Sequence, residues 1–308
     1  GKLLPEARAV VVAGFSVAYE PKPIPSEPGK PRGCFPPYGS RVFEEMEAYC
    51  FKILAGFLEE RGFQAVPAPG IPIKPAAVRA GLGRYGKHGV VVTPELGSWV
   101  MFSCLVTDAP LLCAEEPLHA SDCPKGCALC LEACPTGAIT APYQVECSLC
   151  ITHWLWGAFV PAALRAKQGA RLFGCGECLF ACPRNKGIRP RRDYPVHLDE
   201  KGDSPELIPL LTMTDEDFEK MTPAFPRRAG IEAIRGNAAI ASGNLGDPAA
   251  VPALGLMLRH KQPQLRAYSA WALGRIGGAE ARALLEAARA EEEEALVLEE
   301  IEMALEEA

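Results

Sequence analysis

The sequence predicts an α+β protein in three consecutive parts: an α/β unit, a cysteine-rich module and a helical repeat. Three observations carry this. Over residues 1–115, short apolar runs alternate with segments of helical spacing. Most of the 13 cysteines then crowd into two short stretches within residues 116–190. Beyond a polar connector at 191–212, residues 213–308 turn helical and repeat themselves. A chain of 308 residues accommodates two or three domains.

The elements follow in order. Residues 7–18, around Val10-Val11-Val12, read as a buried strand, and a Pro-rich loop runs from Pro21 to Pro37. Residues 40–62 have helical spacing, with Phe43, Met46, Tyr49, Leu54 and Phe57 toward a core and Gly62 as a stop. A short strand at 63–66 and a helix from Lys74 to Ala80 come next. His88–Thr93 and Trp99–Thr107 read as two strands joined by the turn Pro94-Glu95-Leu96-Gly97. Near the end, the segment from Arg235 to Asp247 aligns with that from Arg266 to Gly278, a period of 31 residues. Each unit is a helix, a Gly turn and a second helix. One such pair cannot bury its own apolar face, so the pairs should stack in the manner of short HEAT repeats and dock on the rest of the protein.

The cysteines carry the chemistry. Cys123, Cys127, Cys130, Cys134 and Pro135 form one motif; Cys175, Cys178, Cys182 and Pro183 form the other. C-x2-C-x3-C-P is iron–sulfur spacing. Two intervening residues let a tight turn aim two thiolates at one cubane, and the cysteine before Pro points to the other cluster. Crossed ligation puts Cys123, Cys127, Cys130 and Cys182 on one 4Fe–4S cluster, and Cys134, Cys147, Cys175 and Cys178 on a second. Soft thiolates also suit zinc, but a zinc ribbon needs neither the third Cys nor the Pro. Cys150 is an alternative donor beside Cys147. Disulfides belong to small secreted chains without a core, which this is not. Cys50 and Cys104 read as small buried hydrophobes.

Other signals are weaker. Gly81-Leu82-Gly83-Arg84-Tyr85-Gly86 matches G-x-G-x-x-G, but a helix precedes it and a strand follows, the reverse of a dinucleotide fingerprint. The turn still lets backbone approach a ligand, and Lys87 beside it suits an anion. His153 reads as a packed helix residue. Net charge is −6, so bulk electrostatics favour no nucleic acid, although a local basic face remains open. No run approaches the ~18 apolar residues of a membrane helix, and no secretory signal opens the chain. A cytoplasmic protein is expected. The chain enters its first strand almost at once, so an N-terminal piece is expected to be missing.

Several segments together resemble the epoxyqueuosine reductase family. They are Ala80–Lys87, Pro94–Trp99, Leu105–Leu111, Ala133–Ile139, Cys147 with Ile151-Thr152, Phe173–Cys178 and the repeat Gly243–Leu254. The resemblance implies a nitroreductase-like α/β domain that binds cobalamin. It also implies two 4Fe–4S clusters that feed electrons singly to cobalt from an external low-potential donor, and reduction of epoxyqueuosine in tRNA held through the helical domain. By the same resemblance Gly81, Gly83, Gly86, Lys87, Gly97, Ser98, Trp99 and Cys147 would line the corrin. Arg227, Arg228, Arg235, Arg259, Lys261 and Arg266 would supply the basic face. The family's acidic proton donor has no counterpart in Val66-Pro67-Ala68-Pro69-Gly70. Tyr38 or Tyr85 is then the candidate donor. Two alternatives stand beside this reading: a paralogue with the same cofactors that reduces another small organic substrate, and a cobalamin-free electron-transfer protein.

Overall fold

The computed structural model describes residues 4–18, 27–35, 41–112, 123–189, 204–221 and 228–307. They fall into two compact units, each built from separate stretches of chain. The first comprises Gly1–Pro21, Arg41–Glu146 and Gly176–His197; the second Lys22–Ser40, Cys147–Cys175 and Leu198–Ala308.

The first unit is organised on a three-stranded antiparallel sheet. β1 (Ala9–Ser16) pairs with the long central strand Val100–Thr107, whose other edge carries β2 (Ala65–Pro67). The central strand, Val-Met-Phe-Ser-Cys-Leu-Val-Thr, is a near-continuous apolar run because both of its faces are covered. Leu105 meets Leu58 of the Arg41–Glu59 helix, and Val100 and Phe102 meet Ala77 of the Ile73–Arg79 helix. β1 is the edge: Val10 is 45 % exposed, so the strand expected to be buried is only half so.

Two further expectations are corrected. His88–Thr93 does not form a hairpin with Trp99–Thr107. Only β4 (Val91–Val92) is extended there, and it pairs with β3 (Arg84–Tyr85). The bridge Thr93↔Gly97 closes the intervening loop on itself. The central strand had two better partners in β1 and β2, and local spacing could not rank them. In the Arg41–Glu59 helix the buried face is Met46, Ala55 and Leu58, while Tyr49, Ile53 and Phe57 form an exposed stripe. Arg61 covers Phe57, its guanidinium 3.6 Å from the ring centre.

The second unit is a helical stack. Ile231–Leu245, Pro263–Ile276 and Ala295–Glu307 form successive layers, with Val251–Met257 and Ala279–Glu291 as returning helices. Gly246 and Gly277 end the first two layers, at equivalent places in the 31-residue repeat. The repeat also places Gly243 and Gly274 where neighbouring helices nearly touch. A Cβ on Gly243 would lie 2.8 Å from the Ala272 Cα, and one on Gly274 2.7 Å from the Ala304 Cα. One apolar core runs through all layers and takes in Leu172, Phe173, Leu207, Leu210 and Leu211. The tail of the expected polar connector is therefore a helix, Leu207–Thr212, whose leucines are buried.

Buried polar groups fasten the stack to residues 155–172. The Asn237 side-chain amide donates to the carbonyls of Leu155 (3.0 Å) and Leu172 (2.9 Å). Its repeat counterpart Tyr268 accepts the Val160 N–H at 2.5 Å. Arg165 is fully buried, makes a bidentate pair with Glu300 at 2.6 Å, and lies near the rings of Phe159, Tyr268 and Trp271.

Candidate metal centre

The two cysteine motifs fold as near copies. Each places its middle cysteine on a four-residue helix, Leu129–Glu132 with Cys130 and Glu177–Phe180 with Cys178. Four residues later comes the cysteine before Pro, Cys134 or Cys182. Helices this short do not stand alone in water; here they lie against each other. The Cys123–Cys127 loop closes through the Cys127 N–H to the Pro124 carbonyl at 3.1 Å.

Cys123, Cys127, Cys130 and Cys182 line one small cavity with Lys87, His88, Pro124, Pro183 and Arg184. Cys182, from the second motif, thus joins three cysteines of the first. Burial pushes the Cys130 and Cys182 thiols up, and the neighbouring cysteines add to it. Among the described residues no three His, Cys, Asp or Glu side chains are close enough to hold a single ion. A zinc ion needs its thiolates roughly 4 Å apart, given Zn–S bonds of about 2.3 Å. Thiolates are the ordinary ligands of an iron–sulfur cluster, and four of them line this one cavity.

Cys134 differs from these. Burial opposes ionisation, but the N–H groups of Thr136, Ile139 and Ala138 outweigh it and bring the thiol below its usual value. The Ala138 N–H donates to Sγ at 3.2 Å. Cys134 and Cys178 belong to the first unit, Cys147 and Cys175 to the second. Cys147 is exposed and opens a short turn closed by the Cys150 N–H. His153 stacks edge-on against Trp154, whose indole N–H donates to the Ser148 carbonyl at 2.9 Å.

The residues expected to line a corrin have partners in their own unit. Gly81 ends the Ile73–Arg79 helix in a left-handed cap, with the Gly81 N–H on Val78 and the Leu82 N–H on Ala77. A Cβ on Gly83 would sit 2.4 Å from the Val92 carbonyl oxygen. The Lys87 N–H donates to the Cys123 Sγ at 3.3 Å, and its ammonium to the Cys127 carbonyl at 2.7 Å. Gly97, with φ +56°, lies against Asn185, and the Ser98 N–H donates to the Asn185 Oδ1 at 2.7 Å. Trp99 is buried edge-on against Phe180, 5.1 Å between ring centres. These contacts hold the cluster motifs against the Gly81–Lys87 turn and the Pro94–Trp99 loop. Tyr85 packs beside Val91, Val100 and Phe102; Tyr38 lies outside the described residues.

Sequence reasoning missed two residues. Asn185 is buried and also donates to the Leu179 carbonyl at 2.6 Å, tying the second motif to Ser98 across 87 positions. Its only signal was its place directly after Cys182-Pro183-Arg184. His88 is buried in the wall of the cysteine cavity, and desolvation, helped by the Lys74 charge, pushes its pKa down to about 4. The expected basic face is also reduced. Arg266 is bound by Glu292, and Arg235 by Glu232 and the Met213 carbonyl. Arg227 lies outside the described residues, while Arg259 and Lys261 are exposed.

The fold and the four-cysteine cavity define a double-cluster iron–sulfur protein with a helical-repeat domain. Family models agree: residues 123–185 match a 4Fe–4S double cluster binding domain, and 227–306 match HEAT repeats. The chain is 31 % identical over 317 residues to epoxyqueuosine reductase of Bacillus cereus, covering 99 % of this chain and 82 % of that one. It is 31 % identical over 290 residues to the Bacillus subtilis enzyme of the same name, covering 89 % and 73 %. A crystal structure of epoxyqueuosine reductase with an epoxyqueuosine-modified tRNA stem loop superposes with TM-score 0.86 at 28 % identity, covering 99 % of this chain and 83 % of that one. The chain belongs to the epoxyqueuosine reductase family and is an oxidoreductase.

Proposed function

We propose that this protein reduces epoxyqueuosine to queuosine in tRNA, with electrons entering through two 4Fe–4S clusters. The observation that carries the reading is the cavity shared by Cys123, Cys127, Cys130 and Cys182 in a chain that is related to epoxyqueuosine reductases along almost its whole length. Those four thiols would hold one cluster, and Cys134, Cys147, Cys175 and Cys178 the other. When bound, the pair would pass electrons singly from an external low-potential donor toward the substrate site. This chain's own part is positional. Asn185 and Trp99 fix the second motif on the Pro94–Trp99 loop, and Lys87 fixes the first. Residues 1–115 are proposed as the cobalamin-binding domain, 116–190 as the cluster domain and 213–308 as the tRNA-facing repeat, in a cytoplasmic protein. Arg228, Arg259 and Lys261, exposed among the described residues, are proposed to meet phosphate there. Tyr38 or Tyr85 is proposed as proton donor.

One observation favours a second reading, a paralogue acting on another small organic substrate. Val66–Gly70 carries no acid, whereas epoxyqueuosine reductase of Bacillus subtilis, 29 % identical in a solved structure, has a catalytic loop that bears an aspartate. Anaerobic reconstitution with iron, sulfide and corrinoid, followed by an assay on epoxyqueuosine-bearing tRNA, separates the two. Conversion to queuosine is expected. Full clusters and bound corrinoid without turnover would sink the first reading. No corrinoid binding would sink both and leave an electron carrier.

A further inference from the structure

We propose that His88 donates a hydrogen bond to the cluster held by Cys123, Cys127, Cys130 and Cys182, and so raises the reduction potential of that cluster alone. The inference rests on the cluster reading above. Its ground is an unmatched buried atom. His88 is 3 % exposed. Its Nδ1 accepts the Val90 N–H at 3.1 Å. A ring nitrogen that accepts carries no proton, so the neutral imidazole holds its proton on Nε2. That Nε2 is buried and has no hydrogen-bond partner among the described residues. Native proteins seldom leave such a donor unmatched, because a buried polar group that loses its water and gains no partner is destabilising.

The surroundings indicate the acceptor. The same ring lines the cavity with the four cysteines, so the sulfurs of a bound cluster are the acceptors at hand. Gly86 closes another side: a Cβ there would stand 2.8 Å from Cε1 and 3.0 Å from Nε2 of the ring. The last glycine of the G-x-G-x-x-G turn thus makes room for an imidazole. Lys87 works in the same direction, with its N–H on the Cys123 Sγ and its ammonium on the Cys127 carbonyl. Donors to cluster sulfurs favour the more negative, reduced state and so raise the potential. His88 is a positioning residue in this scheme and touches no substrate.

The test uses the reduced, fully loaded protein. With 15N-labelled histidine, pulsed EPR should detect an imidazole nitrogen coupled to one cluster, and His88→Leu should abolish that coupling. In a redox titration His88→Leu should lower the midpoint of one cluster and leave the other in place. At a fixed potential the reduced-to-oxidised ratio of the affected cluster should fall about tenfold, which is about 59 mV for one electron. His88→Gln, which keeps an N–H, should restore much of the shift. Unchanged potentials in a fully loaded His88→Leu protein, or no histidine coupling in the unsubstituted one, would overturn the inference. If His88→Leu does not take up its clusters, the coupling in the unsubstituted protein decides alone. Failure of the cluster reading itself would look different: iron well below about eight per chain, or unchanged iron in Cys130→Ser.

Discussion

Around the cysteines of the first unit, the helices are four residues long, and turns and side-chain anchors set the path. In the helical repeat, helices of 13 to 15 residues share one apolar core, glycines let them approach closely, and a buried ion pair closes the last layer. The two regions are thus stabilised by different means. The repeat gains from burial, which scales with apolar area. The cysteine region has little area to bury and must gain from ligand bonds, for which binding free energy is folding free energy.

The largest expected effect would break this comparison outright. Cys130→Ser should remove one cluster and collapse amide-exchange protection in residues 123–134 and 176–185, while the 231–307 helices keep theirs. Iron analysis with hydrogen exchange reads both. Equal loss of protection in the repeat would mean that the regions are not separately stabilised. Next comes Glu300→Ala, which strands the buried Arg165 guanidinium and should cost about 3–5 kcal/mol in chemical denaturation. Replacing the pair together, Arg165→Met with Glu300→Leu, should recover most of it; if the double variant is as unstable as the single, the charge is not the cause.

Gly274→Ala is a smaller probe. Its Cβ would collide with the Ala304 backbone at 2.7 Å. Overpacking costs about 1–3 kcal/mol, partly offset by the better helix propensity of Ala. Gly56→Ala is the control: it lies in the Arg41–Glu59 helix with nothing within 4 Å of the new atom. It should stabilise by roughly 0.5–1 kcal/mol. If both substitutions move the thermal midpoint alike, the close approach is not a constraint.

The smallest effect concerns acid. The Arg266 guanidinium, hydrogen-bonded to Glu292, holds its carboxyl below the usual carboxylate range. A depressed folded pKa stabilises above the unfolded value of about 4.3, and the contribution fades as pH falls through the folded pKa. Glu292→Gln should therefore cost about 1 kcal/mol at neutral pH and progressively less in acid. A stability deficit independent of pH would show that the loss is one of packing.

The readings that held are those whose cause is local. Cysteine spacing is a property of one turn, and Cys123, Cys127 and Cys130 lie within eight residues. Gly81 stops its helix through bonds to Val78 and Ala77 only. The 31-residue period follows from one helix pair repeating. The readings that failed depend on distant chain. Whether Tyr49 or Met46 faces inward is decided by the sheet that covers the helix. Val91–Val92 could pair with either neighbour until β1 and β2 had taken both edges of the central strand. Arg266 looked available for phosphate until Glu292 folded back on it.

The same division runs through the metal centre. By itself the sequence pointed to thiolate sites, because ligand identity and spacing are written along the chain; the fold brought Cys182 into one cavity with Cys123, Cys127 and Cys130. Only the tertiary structure decided what surrounds them: Asn185 reaching Ser98 across 87 positions, and His88 brought into the cysteine cavity with one nitrogen unmatched. Hydrogen bonds and burial between distant residues depend on where the chain returns, and no local pattern records that.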